Sequence, residues 1–408
     1  MSKSNFLYSL LTISILLVAC KKDKTDKFEV LSLTEGEQRL AEANNNLTFS
    51  TFKELINAEP SSKNLMASPL SVSMALAMTS NGSNGNTLEG IRNAIQFKDF
   101  SEQDVNAYYQ KIIKSLPGLD SKVQFNVANS IWYKNGFNVL PSFLSTNTTY
   151  FQAKSEALDF GNPNAKNTIN SWVNEQTKGR IPTIVDQISS DMVMYLINAM
   201  YFKGNWKNQF DKSKTSKADF HLNSTSKIQT DFMSAEKMSL HVGMGQDNLI
   251  YELPYGNDIY SMVLVLPKQG VEVENVIENL NGVKWKSWMA SLQKANMDIR
   301  LPKFKFSYEK KLNDVLTNMG MGNSFSDAAD FSRINANGGL KISELKHKTF
   351  IEVNEEGTEA AAVTSVGVAL TSLPQVAVID RPFFFAIREK HTGLILFAGI
   401  VNNPTLSN

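Results

Sequence analysis

The chain has 408 residues, of which 20% are charged and 42% hydrophobic, with a formal net charge of +1. This is the composition of an ordinary globular protein, and so neutral a balance excludes recruitment to nucleic acid by charge. Its single cysteine, Cys20, excludes any intramolecular disulfide and leaves the thiol no second cysteine for redox or metal chemistry.

The N-terminus reads as a secretion signal over residues 1–19: Lys3, an apolar run from Phe6 to Val18, then Leu17-Val18-Ala19-Cys20 and the charged Lys21, Lys22, Asp23 and Lys24. The run falls short of the roughly 20 apolar residues that a spanning helix needs. Its closing tetrapeptide resembles the lipobox of bacterial lipoproteins, in which the cysteine becomes the first mature residue and carries lipid. That resemblance implies a lipidated Cys20 and an exported protein anchored in the bacterial cell envelope, at the outer membrane or cell surface. Residues 20–36 then form the lipidated cysteine and a polar tether.

Beyond the tether, Ala41 to Ile56 and Pro69 to Ser80 read as helices. Val123 to Tyr133, Met192 to Phe202 and Tyr260 to Leu266 read as strands. Ile299 to Phe306, Phe350 to Val353, Phe383 to Ile387 and Leu394 to Val401 are again strand-like. No Pro/Gly/Ser-rich linker or repeat interrupts residues 37–408, so a single α+β domain is expected, its sheets drawing strands from distant parts of the chain.

No catalytic apparatus is visible. The four histidines, His221, His241, His347 and His391, show no metal-ligand spacing, and there is no GxSxG elbow, P-loop or GxGxxG. His221 and His241 read as surface or strand-edge residues. The adjacent Glu355 and Glu356 read, on their own, as a solvated turn.

Several segments resemble the serpin family, in the family's order, from about Glu37 to Pro404. They are NLMASPLSVSMALAM at 64–78, NAMYFKGNW at 198–206, LPKFKFSYEKKLNDVLTNMGM at 301–321, VNEEGTEAAAVTSV at 353–366 and DRPFFFAIREKHTGLILFAGIVNNP at 380–404. The resemblance implies the serpin fold, with a central mixed β-sheet, further sheets, about nine helices and an exposed reactive-centre loop at about 355–380. It also implies a monomer without cofactor that traps a serine protease as a covalent acyl complex, the cleaved loop entering the main sheet as a new strand.

The hinge of that loop, Glu355, Glu356, Gly357, Thr358, Glu359, Ala360, Ala361 and Ala362, can be read without the family. In a strand Thr358, Ala360, Ala362, Thr364, Val366 and Val368 share one face, which is uncharged and mostly small; Glu359, the only charge beyond Glu356, lies on the other. Such a face can enter a packed site without steric conflict. Counting from the hinge against the family pattern places the scissile bond at Thr371-Ser372, with Leu370-Thr371 as the alternative. No Lys or Arg occurs between Glu356 and Asp380, so a trypsin-like pocket has nothing to grip; small apolar residues around the bond point to elastase-like or subtilisin-like proteases.

The resemblance further implies a buried polar set beneath the sheet opening, with His347 paired to Asn198 and joined by Ser71. It implies a Glu355–Lys303 ion pair near the insertion point with Trp206 beside it. A non-inhibitory serpin acting as a chaperone or binding module is the competing reading. Asp99, Glu102 and Asp104 interrupt the lysines between Arg92 and Leu116, which argues against a glycosaminoglycan site.

Overall fold

The computed structural model describes residues 30–357 and 376–407. Cys20, most of the tether and the loop residues 358–375 lie outside the described residues. The first helix, α1 (Glu35–Ala58), begins at a capping box. Thr34 accepts from the Glu37 amide, and the Glu37 carboxylate accepts from the Thr34 amide, satisfying two otherwise orphan donors. Leu31 is already buried ahead of this cap, so packing starts before the expected boundary at residue 37.

β1 (Leu65–Ala67) leads into α2 (Pro69–Ser80), which Ser68 caps and where Pro69 occupies a position that needs no amide. Every residue of α2 except Ala75 is buried, so it is a core helix with no solvent face. Around it pack α3 (Gly85–Ala94), α4 (Glu102–Ser115) and, after β2 (Val123–Lys134), α5 (Pro141–Phe151).

β2 pairs parallel with β3 (Lys154–Leu158) and antiparallel with β4 (Met194–Gly204), making a three-stranded mixed sheet. The helix between those strands, α6 (Ala165–Gln176), lies over the sheet. Its Ile169 and Val173 join Trp132, Ile197 and Ala199 in a small second core.

The chain continues through β5 (Ser216–His221), β6 (Lys227–Met244), β7 (Asn248–Pro254) and β8 (Tyr260–Pro267) to α7 (Val273–Glu278) and α8 (Gly282–Ala290). Then come β9 (Gln293–Pro302), β10 (Phe304–Lys311), α9 (Asn313–Leu316) and β11 (Lys346–Val353), and finally β12 (Val376–Val378), β13 (Phe383–Glu389) and β14 (Ile395–Val401). The expectation of one strand over Ile299 to Phe306 is corrected: Lys303 divides the end of β9 from the start of β10. β9 pairs with β6 and β10 with β11, and Pro302, which has no amide to donate, ends the first ladder.

A nine-stranded sheet runs β1-β14-β13-β8-β7-β6-β9-β12, with β5 also on β6, and is mixed because β12 lies parallel to β9. β8, β13 and β14 are buried at every residue, which is why, apart from Ser261, Arg388 and Glu389, they read as continuous apolar runs rather than alternating ones. Nine α-helices among the described residues complete the α+β fold. No described helix is long and apolar enough to cross a membrane.

Among the described residues β4 bonds only to β2, and β11 only to β10. Each leaves an edge facing the other across a cleft. Its lower part is a cavity of about 640 Å³ between Met194–Met200 of β4 and Lys346–Thr349 of β11; its upper part is narrower, about 70 Å³.

Candidate functional site in the cleft and its hinge

Ser71, Asn198 and His347 all line the lower cavity, but the expected His347–Asn198 pair is not made. His347 accepts at Nε2 from the Ser68 amide at 2.9 Å, so its proton sits on Nδ1. Burial pushes this imidazole down to about 4. Asn198 donates from Nδ2 to Asn129 Oδ1 at 2.7 Å and to Met74 Sδ at 3.2 Å, while its Oδ1 is buried without a partner. The reason is topological: Asn198 stands on β4 and His347 on β11, on opposite walls of the cleft. Ser71 enters only through its amide, which donates to the capping Ser68 hydroxyl.

Ser68 and Asn129 are therefore the partners that sequence reasoning missed. The signal for Ser68 is its place before Pro69, since the amide of a capping residue precedes the helix and seeks a side-chain acceptor.

At the top of β11 the chain reverses. Gly357 donates to the Asn354 carbonyl at 3.1 Å and forms an isolated antiparallel bridge with it. Gly357 has φ +69°, and a Cβ there would lie 2.1 Å from the Trp206 amide nitrogen, so the turn demands glycine both for its backbone conformation and for the close approach.

The segment following β4 clasps this turn. Trp206 N and Gln209 Nε2 both donate to the Glu356 carbonyl at 3.1 Å, and Phe210 N donates to the Glu355 carbonyl at 3.0 Å. Trp206 Nε1 donates to the Asn354 carbonyl at 3.0 Å, and its indole stacks on Tyr255 with centroids 4.4 Å apart.

Glu355 does not form the solvated turn expected of adjacent carboxylates, because it is 5% exposed. Its Oε1 meets Lys303 Nζ at 3.1 Å and accepts from Thr215 Oγ1 at 2.7 Å. Burial pushes the carboxyl up, but Thr215, its own backbone and Lys303 outweigh that and leave it below the usual value. Glu356 is ion-paired with Lys212. Lys303 is brought to the hinge because it is the break between β9 and β10. Thr215 and Lys212 carry no signal that their sequence neighbourhood would reveal.

Thr358, Glu359, Ala360, Ala361, Ala362, Leu370, Thr371 and Ser372 lie outside the described residues. His221 is exposed at the end of β5. His241 differs from expectation: it is half-buried within β6, with Nδ1 3.4 Å from the buried Glu252 carboxylate. Among the described residues no group of His, Cys, Asp and Glu could hold a metal ion.

The family model described as "Serpin (serine protease inhibitor)" matches residues 42–404. The leukocyte elastase inhibitor of Xenopus laevis is 34% identical, covering 90% of this chain and 100% of its own. The native state of the thermophilic serpin tengpin superposes with a TM-score of 0.80 at 34% identity, covering 91% of this chain and 95% of its own. Human thyroxine-binding globulin in complex with its hormone superposes with a TM-score of 0.82 at 31% identity, covering 91% and 100%. With the family's model spanning nearly the whole of the described chain, the protein belongs to the serpin family of serine protease inhibitors.

Proposed function

We propose that this serpin inhibits a serine-type endopeptidase as a suicide substrate, its cleaved loop inserting between β4 and β11. The carrying observation is the Asn354–Gly357 bridge, which turns the chain back along β11 at the mouth of the cleft. Extended as an antiparallel ladder, its register would set Thr358 opposite Val353, Ala360 opposite Ile351, Ala362 opposite Thr349 and Thr364 opposite His347. Opposed residues share a face. Those four β11 residues are the buried ones of an alternating pattern. The small, uncharged loop face is thereby the face that would turn inward.

Inserting about 14 residues at roughly 3.3 Å each would carry an acylated end on the order of 45 Å. A misplacement of about 1 Å already costs an active site about a hundredfold in rate, so deacylation would stop. The small apolar run Val368 to Ser372 favours an elastase-like or subtilisin-like enzyme cutting at Thr371-Ser372, and the likeness to a leukocyte elastase inhibitor supports that class.

The test mixes the protein with an elastase, a subtilisin, a chymotrypsin and a trypsin. A complex that survives boiling in detergent is expected with the first two. Cleavage with no complex in any mixture would instead favour a binding protein, the second reading, which the likeness to thyroxine-binding globulin keeps in play.

We further propose that Cys20 is lipidated and tethers a monomer to the bacterial envelope, on the strength of Leu17-Val18-Ala19-Cys20 behind the apolar run. Cys20→Ala is expected to release the protein from membranes or block its processing; unchanged retention and processing would overturn this.

A further inference from the structure

The lower cavity carries two polar groups that its own walls do not use up. On β4, Asn198 Oδ1 is buried without a partner, although the Nδ2 of the same amide donates to Asn129 and Met74. An acceptor buried in that state costs free energy until a donor reaches it. On β11, the Ser68 amide holds His347 Nε2 as an acceptor and so leaves the ring's Nδ1–H as a donor. The cavity that both residues line measures about 640 Å³, within the range of about 300–1,000 Å³ typical of small-molecule sites.

The rest of the lining narrows what fits. Val72 of α2, Ile184 and Val185 of the connection from α6 to β4, Leu196 of β4, and Ile342 and Leu345 ahead of β11 are aliphatic. The lysines of the lining are already paired, Lys346 with Asp186 and Glu309, Lys348 with Glu309 and Lys341 with Asp327. An acidic head-group therefore finds no free lysine, and a carboxylate could not donate to Asn198 Oδ1. An ammonium could not accept from His347 Nδ1–H. A hydroxyl does both through one oxygen. Water would do so too, but it would leave the aliphatic walls wet, whereas an alkyl chain buries them. We propose that the lower cavity is a binding site for a long-chain aliphatic alcohol, whose hydroxyl donates to Asn198 Oδ1 and accepts from His347 Nδ1–H. The chain would fill space that an inserting strand needs, making the alcohol a brake on trapping; that consequence, unlike the site, rests on the insertion reading above.

The test titrates the uncleaved full chain with decanol and with its isomer methyl nonyl ether, which accepts a hydrogen bond but donates none, by calorimetry. Decanol is expected to bind about tenfold more tightly, the ratio that one hydrogen bond to an otherwise orphaned acceptor contributes. Asn198→Leu is expected to bring the two isomers to equal affinity, and the comparison in the parent needs no variant. Equal affinities in the parent, no binding of either isomer, or a preference for decanol that survives Asn198→Leu would overturn the site. Repeating the titration after loop cleavage separates the site from the insertion reading. Loss of decanol binding is expected there; a preference for decanol kept by the cleaved protein would leave the site standing and overturn insertion.

Discussion

His347 ties the stability of the parted sheet to pH. Its imidazole is buried on β11, and its Nε2 accepts the Ser68 amide hydrogen, so a proton added at Nε2 would meet an N–H aimed at the same atom. The folded value of about 4 lies below the ordinary 6.5. The neutral ring is favoured by folding, so its contribution is fully present above pH 6.5 and is lost as pH falls toward 4. At about 1.36 kcal/mol per pH unit the interval corresponds to roughly 3 kcal/mol. Burial pulls the ammonium of Lys346, on the same cavity wall, down, but Asp186 and Glu309 outweigh that and leave it above its usual value. Asp186, which faces Lys346 at 2.5 Å, is held below the usual carboxylate range by that ammonium. His347→Gln keeps an acceptor for Ser68 and removes the titration. Urea midpoints of both proteins between pH 7.5 and pH 4 are expected to show the parent weakening relative to the variant by up to about 3 kcal/mol, most of it below pH 6.5. Parallel profiles for the two proteins would refute the assignment of this histidine as a buried neutral acceptor.

Three substitutions probe the hinge. Glu355→Lys sets a second ammonium against Lys303 at a buried site and is expected to slow refolding and yield polymers, checked by refolding rate and size-exclusion chromatography. Gly357→Ala adds left-handed strain and a Cβ inside the Trp206 backbone, which must break the clasp; a loss of about 2 kcal/mol or more is expected in urea unfolding of the uncleaved protein. Thr358→Arg would bury a guanidinium against Val353 during insertion, at several kcal/mol. It is expected to convert trapping into turnover, read as cleaved product without complex on a detergent gel.

The long apolar patterns were legible in the sequence because burial alone determines them: α2 matches its expected bounds, and β8, β13 and β14 announce themselves as predominantly apolar runs. What stayed hidden depends on contacts between distant segments. β6 runs from Lys227 to Met244 with mixed burial because different parts of it pair with β5, β7 and β9. Ser68, Asn129, Thr215 and Lys212 are ordinary polar residues until the fold brings them to His347, Asn198, Glu355 and Glu356. The Glu355–Lys303 contact was legible only through resemblance, because 52 residues separate its partners.

Chain length explains why such a loop would wait for its protease. The segment after Gly357 is held at both ends, by the clasped turn on one side and by β12, which pairs Val376–Val378 with Asp298–Arg300 of β9, on the other. If residues 358–371 lay straight along the cleft they would extend on the order of 45 Å from the hinge. An uncut chain would then have only residues 372–375 to return from that depth to Val376, and the five steps reach at most about 18 Å. Full insertion and an intact β12 are therefore incompatible without a cut. A break at Thr371-Ser372 would remove that conflict and let β12 stay on β9. Cleavage would supply no energy to this step. It would remove a covalent constraint, and new ladder bonds to the facing edges of β4 and β11 would supply the drive.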